Sequence, residues 1–576
     1  MTASQIQLDL GLDLPVAGRK PKQTRLPRAA AVLEPGGVVY TQPWVVDLIL
    51  DLVGYRPEAD LASRYAVEPA AGEGAFLLPM IRRVLASASQ HGRPLTDLRE
   101  SIGAYELDAE AALRAVALAE QELRRNGAGD REARDLAKGW VSVGDYLLDS
   151  PSGRRADFVI GNPPYIRYDD VPAEALAAYR SLYPTMVGRG DIYVGFIEAG
   201  LRQLAEGGVL GFICADRWMR SAYGSELRRM ISAPFGIEAV IEMHDAPAFE
   251  DEVSAYPAVV VIRRGRQGQV IVADADARAG PLPDGGSLAD AVSALALGRR
   301  DTVPGFSATT VDRWFRGSGP WPSLEPRQLR LLQRLEASFG PLEDDLTGTK
   351  VGIGVATGAD RVFITTDPGA AEPDRLVPLA MTADTREGVV NWSGHYLLDP
   401  WQNGGGLVDL AAFPRLRAHF EGCRAELEHR NVAHRAPKYW YRTIDRVNHD
   451  LTGTPKLYFP DMKLTSHPVL DRGETYPHHN LYYLTSRVWD LEVLGGLLLS
   501  KVAQLFIEAY CVKMRGGTLR FQAQYLRRIR VPDPASLPED LRERLRLAFR
   551  NRDADAATAA AVEAYGIGDL AGLLAC

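Results

Sequence analysis

Between about Gly36 and Arg264 the chain alternates short β-rich runs with helical stretches, and that alternation restricts the possible folds more than any other feature. Strands are expected at Tyr65–Val67, Ile102–Tyr105, Val141–Val143, Phe158–Ile160, Val209–Cys214, Ala239–Met243 and Ala258–Ile262. Helices are expected among them at Pro43–Val53, Ala109–Arg125 and Tyr193–Ala205. Strands that alternate with helices form βαβ units, which build a mainly parallel twisted sheet covered by helices on both faces. Sheets of that kind hold ligands beyond the carboxyl ends of their strands. The rule selects Glu68, Glu106, Asp145 and Asn162 as the positions where chemistry is expected.

A chain of 576 residues exceeds one ordinary core, so two or three folded units are expected. From about Gln267 to Ser323 it turns rich in Ala, Gly, Pro and Asp, as in GPLPDGGSLAD and RGSGPWPSLEP, which reads as a connection. The expected organisation is a flexible basic segment at 1–35, a first domain at 36–266, the connection at 267–323, a second domain at 324–540 and a helical tail at 541–576. Cys214, Cys423, Cys511 and Cys576 form no CxxC pair, so neither a disulfide framework nor a zinc site is indicated, and a reducing cytoplasm is expected. No segment has the apolar length of a membrane span, and the N-terminus lacks the apolar stretch of a signal peptide.

The net charge of −8 argues, as an average, against a nucleic-acid binder. The electrostatic footprint of such a binder is local, however. Arg19 to Arg28 holds five basic residues and no acid, and Lys513 to Arg530 holds Lys513, Arg515, Arg520, Arg527, Arg528 and Arg530 with no acid. A single basic run is more often a solvated face than an interface. A second candidate surface is HRAPKYWYR, His434 to Arg442, where Arg435, Lys438, Tyr439 and Arg442 interleave bases with aromatics.

Three motifs carry chemistry. VEPAAGEGAFL, Val67 to Leu77, is a strand, an acid, a glycine turn and a helix; Gly72 and Gly74 let the backbone approach a nucleoside, and Glu68 can hold a cationic amine. Taken alone it is no more specific than a tight connection. At the next strand end Glu106 can accept ribose hydroxyls. Asp108 is the better helix cap, which leaves Glu106 for a ligand. After the third strand, Asp145 can accept from an adenine amine, with the Tyr146 ring beside it.

The decisive motif is GNPPYIRY, Gly161 to Tyr168, directly after the apolar ADFVI. Pro163 and Pro164 stiffen the loop, and Asn162, which precedes proline, is held extended. The Asn162 side-chain oxygen and the Pro163 carbonyl can accept both hydrogens of an exocyclic amine, while Tyr165 stacks on the ring that bears it.

The ordered set TQPWVVDLIL, VEPAAGEGAFL, YELD, GDYLL, ADFVIGNPPY, EGGVLGFICADRW and AFEDEVSAYPAVVVI resembles the gamma class of adenine-N6 DNA methyltransferases, the TaqI-like and Eco57I-like modification methylases. TGTKVGIGVATGADRVFI and MRGGTLRFQAQYLRRIRVP resemble parts of that family's specificity domain more faintly. The resemblance implies a Rossmann-like class I methyltransferase domain followed by a mixed α+β target-recognition domain. It implies S-adenosyl-L-methionine as methyl donor and double-stranded DNA as substrate, with no metal. A separately encoded restriction endonuclease is an expected partner, and the chain is expected to be a monomer. By the same resemblance Thr41 touches the methionine part of the cofactor, Glu68 its amino group, Glu106 the ribose and Asp145 the adenine. Ala70, Gly72 and Asn162 also line the cofactor site, and Phe249 stacks on the flipped base opposite Tyr165. Glu68 and Ala71 stand where the family more often has Asp and Cys, which keeps a carboxylate and a small residue.

Three other readings compete. Glutamine methyltransferases acting on release factors share the NPPY loop, but are shorter and carry their recognition region first. A fused nuclease would need more than the acid-x-Lys fragment in FPDMK, Phe459 to Lys463. A non-catalytic recognition subunit would have no use for an intact Asn162–Tyr165 loop.

Overall fold

The computed structural model describes residues 40–149, 153–250, 256–315, 317–511 and 518–574. The chain divides into two compact units, Met1–Pro320 and Trp321–Cys576. The expected basic segment at 1–35 lies outside the described residues.

In the first unit the strands are β1 (Ala66–Glu68), β2 (Ile102–Glu106), β3 (Val141–Val143), β4 (Ala156–Gly161), β5 (Leu204–Ala215), β6 (Phe235–Glu242), β7 (Pro257–Arg264), β8 (Val270–Ala275) and β9 (Phe306–Val311). They form one nine-stranded sheet in the order β3-β2-β1-β4-β5-β7-β6-β8-β9. The first five are mutually parallel, whereas β7 runs antiparallel to both β5 and β6. Each of the seven expected strands is present. Several extend beyond their predicted ends, because apolar runs mark only the buried middle of a strand.

Two glycines show how the sheet is covered. A Cβ on Gly211 of β5 would meet Ile49 of helix α1 (Pro43–Leu52) and Val53 at its C-terminal end. Its neighbour Leu210 packs instead on Gly200, in a later helix spanning Tyr193–Gln203. Successive strand residues point to opposite faces. The two helices therefore cover the two faces of β5, as a doubly wound sheet requires.

The segment at 267–323 is not the connection that its composition suggested. VIVADA and FSATTV become β8 and β9, paired antiparallel through six register positions, and β8 also runs parallel to β6. A helix at Leu288–Ala296, capped by Ser287, packs its buried Leu288, Ala291 and Val292 on the same core. The glycines and prolines cluster in the turns on either side of that helix and after β9, and they dominate the composition.

The second unit contains two four-stranded sheets. In one, Lys350–Ile353, Leu481–Thr485, Lys456–Pro460 and Val469–Asp471 pair antiparallel throughout. The other is built from Ile364–Thr365, Tyr396–Leu398, Leu376–Ala380 and Tyr476–Pro477. The expected helical tail packs one face of its helices on this unit. Its first helix, Glu539–Arg550, buries Leu541, Leu545 and Phe549, and a Cβ on Gly495 would lie 2.6 Å from the Phe549 ring. Among the described residues no single helix is long and apolar enough to cross a membrane.

Candidate active site

The order of the sheet reverses direction between β1 and β4, so the crevice between their carboxyl ends is where an open α/β sheet receives a ligand. Glu68 ends β1 and Asn162 follows β4. Glu68 is 1% exposed, and its Oε2 is buried without a hydrogen-bond partner among the described residues. Burial, and next the nearby Glu106, raise its pKa well above the ordinary carboxylate value. A buried acceptor left unpaired costs about 1–3 kcal/mol, which an incoming cation would recover. After Glu68 the chain turns through Gly72 at φ 52° and Gly74 at φ 97°, a left-handed backbone that side chains resist. A helix, Leu77–His91, follows.

The loop after β4 is held against a segment from the start of the unit. Asn162 Nδ2 donates to Thr41 Oγ1 at 3.2 Å, which orients the carboxamide with Oδ1 as its accepting end. Thr41 in turn bridges antiparallel to Phe249. The pairing is closed by Gln42 N on Ala248 O (2.9 Å) and Glu250 N on Tyr40 O (3.0 Å). Phe249 is thereby brought to Tyr165, with ring centroids 6.0 Å apart and planes at 83°. The Tyr165 hydroxyl is buried without a hydrogen-bond partner among the described residues, and burial, with Cys214 adding to it, raises its pKa well above the ordinary value. Thr41, Asn162, Tyr165 and Phe249, chosen from three distant stretches of sequence, thus lie together.

Glu106 and Asp145 have protein partners that the sequence did not show, and the expectation of a free Tyr146 ring is corrected. Glu106 is not left open by Asp108. Although Asp108 does cap Ala109–Arg125, Glu106 Oε2 accepts from Gly72 N at 2.7 Å and Oε1 from Asp108 N at 2.8 Å. The carboxylate therefore also fixes the glycine turn, and each oxygen keeps one lone pair for a ligand. Asp145 accepts from Leu147 N at 2.9 Å and from the Tyr179 hydroxyl. Burial raises its pKa, and the Tyr179 bond opposes that shift. The Tyr146 ring is not offered to a ligand: it is 2% exposed, stacks 5.7 Å from Phe196, and its hydroxyl donates to Gln203. Being next to a strand end in sequence gave no information on which way that side chain turned. Ala70 is half-buried in the turn after Glu68.

Sequence reasoning overlooked a charged cluster on the same edge. Asp216 follows β5 directly and is 2% exposed; Arg220 pairs with both Asp216 and Glu242, and His244 lies 2.9 Å from Asp216. Burial would raise the Asp216 pKa, but His244 and Arg220 bring it below the ordinary value. For His244, burial would lower the pKa, but Asp216 and Glu242 raise it overall. The cluster ties the ends of β5 and β6 to the segment that carries Phe249. The strand-end rule that selected Glu68 would have selected Asp216 as well.

In the second unit Arg435, Lys438 and Tyr439 are exposed, with Lys438 Nζ 5.8 Å from the Tyr439 ring centroid. Trp440 belongs to the core and Arg442 lies over Trp401. The basic run is less free than its lack of acids implied. Arg520 pairs with Asp461 and Arg527 with Glu343, acids 59 and 184 residues away. Arg528 lies 4.8 Å over the Tyr510 ring, and Lys513 and Arg515 fall outside the described residues. Asp461 of FPDMK is thus engaged in an ion pair.

Comparison with known proteins adds an independent line. The family model described as "Eco57I restriction-modification methylase" matches residues 145–249, which include the Asn162 loop and Phe249. Type II methyltransferase M.PaeR7I of Pseudomonas aeruginosa is 44% identical over 541 residues, 93% of this chain and 92% of that protein. M.XhoI of Xanthomonas vasicola is 40% identical over 92% of this chain and 97% of its own length. M.BstVI of Geobacillus stearothermophilus is 39% identical over 88% and 92%.

Proposed function

We propose, from the fact that this chain belongs to the type II DNA methyltransferases of restriction–modification systems, that its reaction is methylation of N6 of an adenine flipped out of duplex DNA, with S-adenosyl-L-methionine as donor. The observation that carries this reading is the convergence of the Asn162 carboxamide, oriented by Thr41, with the Tyr165 and Phe249 rings. The methyl of S-adenosyl-L-methionine is already activated on a sulfonium, so the protein's task is to position and tune the amine.

The unpaired buried Glu68 carboxylate suits the cofactor's cationic amino group, and the left-handed glycine turn suits close approach of a nucleoside. Thr41, Ala70 and Gly72 complete that lining. Glu106 takes the ribose hydroxyls with its remaining lone pairs, and Asp145 takes the cofactor's adenine amine.

Adenine N6 is a poor nucleophile because its lone pair is delocalised into the ring. Asn162 Oδ1 and the Pro163 carbonyl accept its two hydrogens, draw the nitrogen towards tetrahedral geometry and disperse the charge that develops on transfer. A target inside the duplex is out of reach, so the base is extruded, and Tyr165 and Phe249 replace its lost stacking. We assign methyl transfer to the first unit and sequence choice to the second, acting as a monomer beside a separately encoded endonuclease. In the second unit Arg435, Lys438, Tyr439 and Arg442 are assigned to DNA, together with those cations of the Lys513–Arg530 run that their ion pairs leave available.

Asn162→Ala tests the reading. Calorimetry is expected to show near-normal S-adenosyl-L-methionine binding, while a tritiated-methyl assay on the same preparation shows transfer abolished. Turnover within a few-fold of wild type would remove Asn162 from the mechanism.

A further inference from the structure

Two groups of side chains among the described residues bring three potential metal-ligand atoms within 4.8 Å of one another. One, Asp216–Glu242–His244, already contains a cation, because the Arg220 guanidinium pairs with both carboxylates. The other lies wholly in the second unit: Asp360, His478 and His479. There the salt-bridge partner of Asp360 among the described residues is His478 itself, with Nε2 3.0 Å from Oδ2.

The backbone holds these three side chains together. His478 N donates to Ala380 O and His479 N to Val355 O, each at 3.1 Å, so the histidine pair is fixed against two separate strand regions. The approach is tight enough that a Cβ on Gly354 would lie 2.2 Å from His478 O. Asp360 opens a short helix, Asp360–Phe363, and Thr357 Oγ1 donates to its Oδ1 at 2.5 Å, leaving Oδ2 directed at His478. The imidazole ring centroids lie 4.0 Å apart, and His479 Nδ1 is buried with no hydrogen-bond partner among the described residues.

We infer that Asp360, His478 and His479 form a binding site for a divalent transition-metal ion of the zinc class. Two imidazole nitrogens and one carboxylate oxygen are a borderline-soft donor set, which suits Zn²⁺, Co²⁺ or Ni²⁺. Mg²⁺ and Ca²⁺ prefer oxygen ligands. Tetrahedral zinc, with bonds of about 2.0–2.2 Å, separates its ligand atoms by roughly 3.4 Å. His478 Nε2 and Asp360 Oδ2 lie 3.0 Å apart and all three ligand atoms fall within 4.8 Å of one another, a spacing that small side-chain rotations bring to that value. The Asp360 side chain is 46% exposed, which provides an entry path and leaves a coordination position facing solvent. The Thr357–Oδ1 bond orients the carboxylate as an outer-shell partner does in established sites. An ion there would pin the turn at 356–360 to the strand edge at 478–479, about 118 residues away in sequence. Cysteine spacing could not have revealed this site, because it uses no cysteine.

The test loads chelator-treated full-length protein with Co²⁺ and records visible d–d absorption and stoichiometry, with Zn²⁺ competing. The expected result is about one equivalent bound, displaced by Zn²⁺, with at least roughly tenfold weaker binding in His479→Ala and in Asp360→Asn. Circular dichroism confirms that both variants are folded. X-ray absorption on the zinc-loaded wild type supplies a reading that needs no variant, and two imidazole scatterers are expected. Absence of binding at micromolar Co²⁺, or binding unchanged in both variants, would overturn the assignment.

Discussion

Phe249→Ala isolates the stacking proposed for the flipped base. In the free protein the Phe249 ring meets Tyr165 edge-on, with centroids 6.0 Å apart. A base lying flat between two parallel rings needs about 3.5 Å on each side, or roughly 7 Å in all. Because the backbone around Phe249 is pinned to Tyr40 and Gln42, the pair must open by side-chain rotation. Stacking on an aromatic contributes about 1–3 kcal/mol per base, so its loss should weaken productive DNA binding by roughly 5- to 150-fold. Phe249 also packs partly on the hydrophobic core, so Phe249→Leu serves as a control that keeps apolar volume and removes the ring. The assay uses duplexes with 2-aminopurine at the methylated position, whose fluorescence rises when the base leaves the stack. Both variants should show weaker binding and a smaller rise, while Phe249→Leu retains more thermal stability than Phe249→Ala. Wild-type affinity and fluorescence in Phe249→Ala would refute the reasoning and leave Phe249 as core alone.

The remaining predictions concern the cofactor and DNA contacts. Glu106→Ala removes the acceptor for Gly72 N and Asp108 N as well as the proposed ribose contact. At about 1.5–3 kcal/mol per charge-assisted bond, cofactor affinity should fall ten- to a hundred-fold or more while DNA affinity is retained, and an unchanged calorimetric dissociation constant would contradict the assignment. Glu68 has its pKa raised in the free protein, and a bound ammonium would lower it. The complex then holds fewer protons than the free protein, so cofactor affinity should rise with pH between the two values and the binding heat should depend on buffer ionisation. Glu68→Gln should abolish both effects, and a pH-independent wild-type affinity would remove Glu68 from the site. Lys438→Ala, at an exposed position, should flatten the salt dependence of DNA binding by about 0.9, the effect of one lost phosphate contact. Arg527→Ala breaks the Glu343 pair and the bond to Val351 O and should mainly lower thermal stability. Equal slopes in wild type and Lys438→Ala would place Lys438 away from DNA.

Local signals carried β1 to β7 of the first unit and the rigid Asn162 loop. Each of β1 to β7 has a short apolar run ending at an acid, glycine or turn, and the Asn162 loop is rigid because of its own prolines, so neither requires knowledge of distant residues. What the sequence left illegible was set by tertiary partners. β8 and β9 were masked by the Gly- and Pro-rich turns that flank them and set the composition of the stretch, and the helix at Glu539–Arg550 reads as a tail until Gly495 is known to face Phe549. The direction of the Tyr146 ring, the engagement of Glu106 by Gly72, and the pairing of Arg520 and Arg527 with distant acids have no signature in local composition. The bridge that brings Phe249 to Thr41 is likewise long-range, and only the resemblance to a family singled that phenylalanine out.

The central claim is the identity of the methylated atom, and nucleoside mass spectrometry addresses it directly. Duplex DNA is incubated with the protein and S-adenosyl-L-methionine carrying a deuterated methyl group, digested to nucleosides and compared with a parallel Asn162→Ala reaction. The account predicts labelled N6-methyldeoxyadenosine in the wild-type digest alone. Label on cytosine, or in neither digest while cofactor and DNA both bind, would contradict it.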